Sequence, residues 1–173
     1  MSDLKEKFIK GIEPIALPGE DPRAQIAEMI LSLPLFQDLE MKHVDLLARF
    51  VKPCRVREDA VLFQEGEEGS FMGLIVEGLA EVRKQNSDEE SVKVAVEGSG
   101  RMVGEMALVD GEPRSATARI VKSGTMLLLS KENFERILDQ HPHLGVAILL
   151  RVCRLMSQRL RRTTGVLSNY LHA

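Results

Sequence analysis

The stretch GEMALVDGEPRSATA, residues 104–118, sets a glutamate behind a glycine, Glu105, and an arginine flanked by small residues, Arg114, close to a short apolar run. Charged side chains are seldom buried singly, so this setting asks for a partner or a ligand. Gly104 permits a close backbone approach. A short helical turn starting near Glu105 then leaves several N–H groups aimed at one point, a nest for an anion. A reversal at Asp110-Gly111 and Pro113 returns Arg114 to that point, where its planar fork suits phosphate oxygens, and Ser115 adds a hydroxyl and a backbone donor. Glu105 repels an anion but accepts a hydrogen bond from a hydroxyl beside it, and a phosphate next to a sugar hydroxyl is a nucleotide. Ala107, Ala116 and Ala118 leave room for such a ligand against the strands. On the residues alone a second reading stands beside this one, a structural salt bridge between Glu105 and Arg114.

Other chemistry is poorly supplied. Cys54 and Cys153 match no metal-ligand spacing and are expected to be reduced, buried small hydrophobes. His43, His141, His143 and His172 lie outside the strands expected below, which argues against a cupin-type metal enzyme, and no GxSxG or His-Asp motif points to a hydrolase or phosphodiesterase. The expectation is a chain that is not an enzyme and carries no cofactor or metal. A net charge of −3 argues against binding nucleic acid by bulk electrostatics. The charged start, MSDLKEKFIK, and the lack of an apolar run near the ~20 residues of a spanning helix predict a cytoplasmic, soluble protein with no membrane contact.

Several elements must hold the cassette in place. Residues 1–22 mix charges with Pro14, Pro18 and Pro22 and read as a flexible arm whose Leu4, Phe8, Ile9 and Ile12 have rough helical spacing. Asp21-Pro22 is an N-cap with proline at the first helical position, Pro34 ends that helix, and a second is predicted from about Leu39 to Phe50. From Cys54 to Ser130, short runs such as AVLFQ, SFMGLIVEG, LAEVRK, SVKVAV, SATARIV and TMLLLS are separated by glycine-bearing breaks, the texture of a β-sandwich or barrel. Glu77-Gly78 reads as a hairpin turn and QNSDEES as an exposed hairpin tip. Ser130 caps a helix to about Asp139, and Pro142 begins a longer one with Leu144, Ile148, Val152, Leu155 and Leu160 recurring along it. Its Arg151, Arg154, Arg159, Arg161 and Arg162 read as a solvated face. The divisions are 1–22, N-terminal helices 23–52, strands 53–130 with the cassette at 104–118, and C-terminal helices 131–173. The class is α+β, mainly β.

The cassette resembles the phosphate-binding cassette of cyclic-nucleotide-binding domains: a Gly-Glu pair, a small-apolar run, then Arg followed by Ser, Ala or Thr and another small residue. FQEGEEGSFMGLIVEGLAEV, LPLFQDLEMKHVDLLARF and LSKENFERILDQHPHL are similar to the family's glycine-marked strands, opening helices and exit. The resemblance covers about residues 30–165 and implies an antiparallel β-roll, a double-stranded β-helix or jelly roll, flanked by N-terminal helices and a long C-terminal helix. It implies that Glu105 binds the ribose 2′-hydroxyl, Arg114 pairs with the cyclic phosphate, and Gly104 and Ser115 bond ligand oxygens, with Met106, Ala107 and Ala116 beside them. Val103 stands where an aromatic is common, and Glu112, a second acid near an anion site, is expected to face solvent. Ser115 rather than Thr favours cAMP over cGMP. RLRRTTGVLSNYL, 159–171, is similar to the dimerising helix of the bacterial catabolite activator protein, so Thr163 and Thr164 are expected to reach the base, although back-bonded threonines are an ordinary alternative.

What the resemblance implies is a sensory module. The chain stops at Ala173 without room for a recognition helix, so no direct DNA binding is expected, and movement of the C-terminal helix would act on an effector protein the sequence does not name. A homodimer through Leu144, Ile148, Val152 and Leu155 is expected, against packing of that stripe on its own sheet. The competing functional readings are a degenerate scaffold or dimerisation module without nucleotide, and a binder of another anion or a cyclic dinucleotide.

Overall fold

The structure, a computed structural model, describes residues 10–19 and 21–171, the side chains of 169–171 excepted. In chain order the elements are β1 (Ile12–Pro14), α1 (Pro22–Ser32), α2 (Met41–Leu47), β2 (Val51–Val56), β3 (Val61–Phe63), β4 (Phe71–Gln85), β5 (Ser91–Glu97), β6 (Met102–Val103), α3 (Glu105–Val109), β7 (Thr117–Ser130), α4 (Lys131–Gln140) and α5 (Pro142–Leu171). The strands form an antiparallel β-roll in the order β1-β2-β7-β4-β5, with β3 on β7 and β6 on β4. The mainly antiparallel fold with flanking helices agrees with the class read from the sequence.

The unbroken apolar run at the end of β7 follows from burial on both faces. Leu127 and Leu129 join Met72, Leu74 and Met102 under the helices, while Met126 joins Cys54, Leu62, Phe71, Ile75 and Ile120 inside the roll. Side chains alternate across a strand, so both sets must be apolar when both sides are covered. The helical layer holds Ile26 and Ile30 of α1, Val44 and Leu47 of α2, Phe134 and Ile137 of α4, and Leu144, Ile148 and Val152 of α5.

The caps follow the local sequence. Asp21 accepts from the Arg23 and Ala24 amides at the start of α1, and Ser130 accepts from the Asn133 amide at the start of α4. The 86–90 turn joins β4 to β5 as an exposed hairpin, with Asn86 Oδ1 taking the Asp88 and Glu90 amides. Pro34–Phe36 is a single 3-10 turn, and α2 is shorter than the 39–50 helix expected, although Phe50 is still buried.

Three expectations are corrected. Glu77-Gly78 is not a hairpin turn: β4 runs straight through it, and the pairing with β7 shifts register around Glu77 and Leu79 instead. Gly78 has φ 102°, and a Cβ on Gly124 would collide with the Glu77 carbonyl, so these glycines curl two long strands without reversing them. Cys153 is exposed, whereas Cys54 is buried and its thiol is pushed up to about 11 by desolvation. Within the expected arm, Ile12 is buried and paired with Val56 in β1; Leu4, Phe8 and Ile9 lie outside the described residues.

Candidate functional site

The cassette begins where β6 ends. Gly104 takes φ 77° at the N-cap of α3, and a Cβ there would collide with Arg114 Nη1 and the Phe63 ring. Only glycine fits that backbone and that space together. After α3, Asp110 Oδ1 accepts the Glu112 amide and Gly111 has φ 74°, so the chain turns back. The Gly66 amide donates to the Arg114 carbonyl at 2.9 Å and the Arg114 amide to the Glu67 carbonyl at 2.8 Å, which stitches the returning segment to the loop after β3.

Arg114 is 3% exposed. Its Nη1 donates to the Gly104 carbonyl at 2.8 Å and Nη2 to the Phe71 carbonyl at 2.6 Å, with the guanidinium 4.0 Å from the Phe63 ring centroid and 5.0 Å from that of Phe71. Its Nε is buried without a partner among the described residues. Burial pulls the guanidinium below its ordinary value, and the carboxylates of Glu67 and Glu105 oppose that pull. An open cleft of about 1250 Å³ is bordered by Arg114, Phe63, Gln64, Glu67 and Phe71, but among the described residues its walls do not include Glu105.

Glu105, 1% exposed, is closed off by the C-terminal helix. Arg159 of α5 donates through Nη1 to Glu105 Oε1 and through Nη2 to the Met102 carbonyl at 2.6 Å, and it lies 3.2 Å from Glu97 at the end of β5. Glu105 Oε2 is buried with no partner among the described residues. Desolvation pushes the carboxyl above its ordinary value and Glu97 adds to that, while Arg159 pulls it back. The salt bridge between Glu105 and Arg114 that the sequence left open is not among the ion pairs of the described residues; each charge faces a different set of partners.

A family model for the cyclic nucleotide-binding domain matches residues 53–141, about half of the chain. The chain belongs to the cyclic nucleotide-binding domain family. It is similar to a cyclic nucleotide-gated potassium channel of Rhizobium etli, 31% identical over 70% of this chain and 32% of the channel. It is also similar to a CRP-like cAMP-activated global transcriptional regulator of Mycobacterium tuberculosis, 22% identical over 83% of this chain and 62% of the regulator. The chain thus spans less than two thirds of these curated relatives. Its fold matches the crystal structure of a cyclic nucleotide-binding domain from Methylobacillus flagellatus with TM-score 0.80 and 25% identity, covering 98% of this chain and 96% of that one.

The cyclic nucleotide-binding domain brings most of the sequence-selected residues together. Gly104, Glu105, Met106 and Ala107 lie in or beside α3, and Ser115 Oγ reaches Met106 Sδ at 3.7 Å while its carbonyl accepts from Lys84 Nζ at 2.7 Å. Ala116 is half-buried at the mouth of β7, Ala118 is buried within it, and Glu112 faces solvent. Thr163 and Thr164 are exposed on α5, and Thr164 back-bonds to the Leu160 carbonyl at 2.9 Å; no hydrogen bond joins either to the cassette among the described residues.

Arginine on α5 is where the sequence reading needs correcting. Arg151 is buried, donating to the Leu35 and Ala147 carbonyls and to Asp38, and Arg159 holds Glu105, so neither belongs to a solvated face. The missed signal was phase. Leu144, Ile148, Val152 and Leu155 form the buried stripe, and Arg159 is its next member four residues on.

Proposed function

We propose that this chain is a cyclic-nucleotide sensor with cAMP as its ligand, and that it is not catalytic. The observation that carries the reading is the pair of orphaned atoms in the cassette: Glu105 offers one buried free acceptor, Oε2, and Arg114 one buried free donor, Nε. Unpaired buried polar atoms are rare, and these two call for a molecule that gives a hydroxyl to one and an anionic oxygen to the other. A cyclic nucleotide has both on one ribose. Arg114 takes the cyclic phosphate, Glu105 takes the 2′-hydroxyl, the backbone N–H groups after Gly104, through Met106 and Ala107, add donors, and Ser115 and Ala116 close the phosphate side. Thr163 lies one turn beyond Arg159 on the same face of α5, which supports a role for it and its neighbour Thr164 beside the base.

Ser115 after the arginine supports cAMP over cGMP, and the mycobacterial relative described as cAMP-activated supports the same choice. Signalling runs through α5 to a partner protein in the cytoplasm. Among the described residues, no helix is long and apolar enough to cross a membrane.

Calorimetric titration with cAMP and cGMP tests this, with Arg114→Ala as the control. Loss of charge-assisted bonds worth about 1.5–3 kcal/mol predicts roughly tenfold to over a hundredfold weaker cAMP binding in the variant. The same change strands the Gly104 and Phe71 carbonyls, so the variant should also unfold about 2 kcal/mol more easily. Absence of heat with either nucleotide would transfer the reading to the scaffold alternative.

A further inference from the structure

A second cleft, of about 460 Å³, opens where α5 passes the turn that starts at Pro34 and the loop between β5 and β6. None of the cassette residues 104–118 lines it. Three guanidinium groups do: Arg151 and Arg154, three residues apart on one face of α5, and Arg101 from the loop after β5. Arg151 is fixed in place, its Nε donating to the Leu35 carbonyl at 2.8 Å, Nη1 to the Ala147 carbonyl at 2.9 Å, and Nη2 to Asp38. Arg101 and Arg154 are exposed, and neither side chain has a hydrogen bond or ion pair among the described residues. Asp38 is the single acid among the described residues of the lining, so two of the three positive charges go unanswered in a chain whose net charge is −3. We propose that this cleft is a second anion site, separate from the cassette, for a compact polyanion carrying two or more phosphate groups.

Like charges gathered on a concave wall repel one another, and the low-dielectric wall focuses their field on whatever enters. A counter-charge therefore belongs in the cleft. Guanidinium is a planar fork that meets phosphate oxygens in pairs, and it is never deprotonated at neutral pH. Arg101 and Arg154 stand on different elements, so a single phosphate satisfies one fork, whereas linked phosphates can satisfy both. Gln158, four residues beyond Arg154, adds an amide donor on the same face of α5, and Leu35 and Leu155 supply an apolar wall. The exposure of Arg101 and Arg154 sets the character of the site: attraction between exposed charges is screened, so the ligand is held by several charges at once and released by salt.

Calorimetric titration of the full chain with inorganic tripolyphosphate and with monophosphate tests this. Tripolyphosphate should bind about tenfold or more tightly than monophosphate, and its binding should weaken as salt is raised. Arg101→Ala and Arg154→Ala should each weaken it about fivefold or more, and the two together more than about twentyfold. A double variant, Arg23→Ala with Arg49→Ala, removes the same charge from exposed arginines outside the cleft and should bind as the wild type does. Arg114→Ala should also keep its tripolyphosphate binding, because Arg114 does not line this cleft. Hydrogen exchange locates the anion: tripolyphosphate should slow exchange in residues 98–101 and 151–158. Failure of tripolyphosphate to bind would overturn the proposal. So would an equal loss in the Arg23 and Arg49 variant, which would mean bulk attraction, or a loss in Arg114→Ala, which would put the anion in the cassette. Tighter binding of a glutamate-rich peptide than of tripolyphosphate would make the cleft a protein-docking face and overturn it as well. These outcomes do not depend on whether the cassette binds a nucleotide.

Discussion

At the scale of single residues, the site is built from charges kept in places that disfavour them. Glu105 is the clearest case, since desolvation raises its pKa from an ordinary 4.5 despite the guanidinium of Arg159. An acid with a raised folded-state pKa keeps its proton in the folded state after the unfolded chain has lost it. Stability therefore falls as pH climbs from the ordinary carboxylate value to the raised one, and is level above it. Glu105→Gln removes this titration while keeping the shape and one acceptor oxygen. In paired denaturant titrations across that range, the unfolding free energy of the wild type relative to Glu105→Gln should decline with rising pH and then flatten. A difference that does not change with pH would mean that Glu105 titrates alike in the folded and unfolded chain. In calorimetry the variant should also distinguish cAMP from 2′-deoxy-cAMP less than the wild type does, because an amide oxygen is a weaker acceptor than a carboxylate.

At the scale of elements, two glycines of the cassette separate backbone conformation from space. Gly104 and Gly111 have nearly the same φ, 77° and 74°. A Cβ on Gly111 meets nothing within 4 Å among the described residues, whereas one on Gly104 would drive into Arg114 and Phe63. Gly111→Ala should therefore cost only the left-handed backbone penalty, about 1–2 kcal/mol, and leave ligand affinity unchanged. Gly104→Ala should cost more, and should weaken binding at least tenfold by displacing Arg114; equal costs at the two sites would refute the steric account. Such elements were legible in the sequence to different degrees. Gly104, the α3 turn and the return of Arg114 followed from local residue types, as did the Asp21 and Ser130 caps. Gly78 misled, because a positive-φ glycine permits either a reversal or a bulge, and only the pairing of β4 with β7 decides which. Arg159 was not legible as a partner of Glu105, since 54 residues separate them and the pairing arises only when α5 lies across β6.

At the scale of the whole molecule, α5 presents two stripes, and among the described residues only one is covered by its own chain. Leu144, Ile148, Val152 and Leu155 are between 0% and 3% exposed, so the stripe expected to form a dimer is spent on the chain's own core and cannot join two copies. A second stripe, Val146, Leu150, Cys153, Ser157, Leu160, Thr164 and Leu167, alternates steps of four and three residues and is exposed throughout. That is a heptad seam, and residues 160–168 are all exposed, a helical length that is marginal in water without a neighbour. The flanks favour parallel association. Arg154 and Arg161 on one side of the seam would face Leu149, Met156 and Thr163 of a parallel copy, but each other in an antiparallel one. The homodimer proposed for this protein is accordingly a parallel pair of α5 helices with Cys153 facing its counterpart. Sedimentation should show concentration-dependent dimerisation that Leu160→Glu weakens more than a hundredfold, since each copy loses a buried leucine worth about 1.5–3 kcal/mol and gains a like charge opposite its own. Mild oxidation should link the wild type into covalent dimers and leave Cys153→Ser unlinked. If Leu160→Glu sediments like the wild type at every concentration, the seam serves another protein, and the effector that reads α5 should be sought on that face.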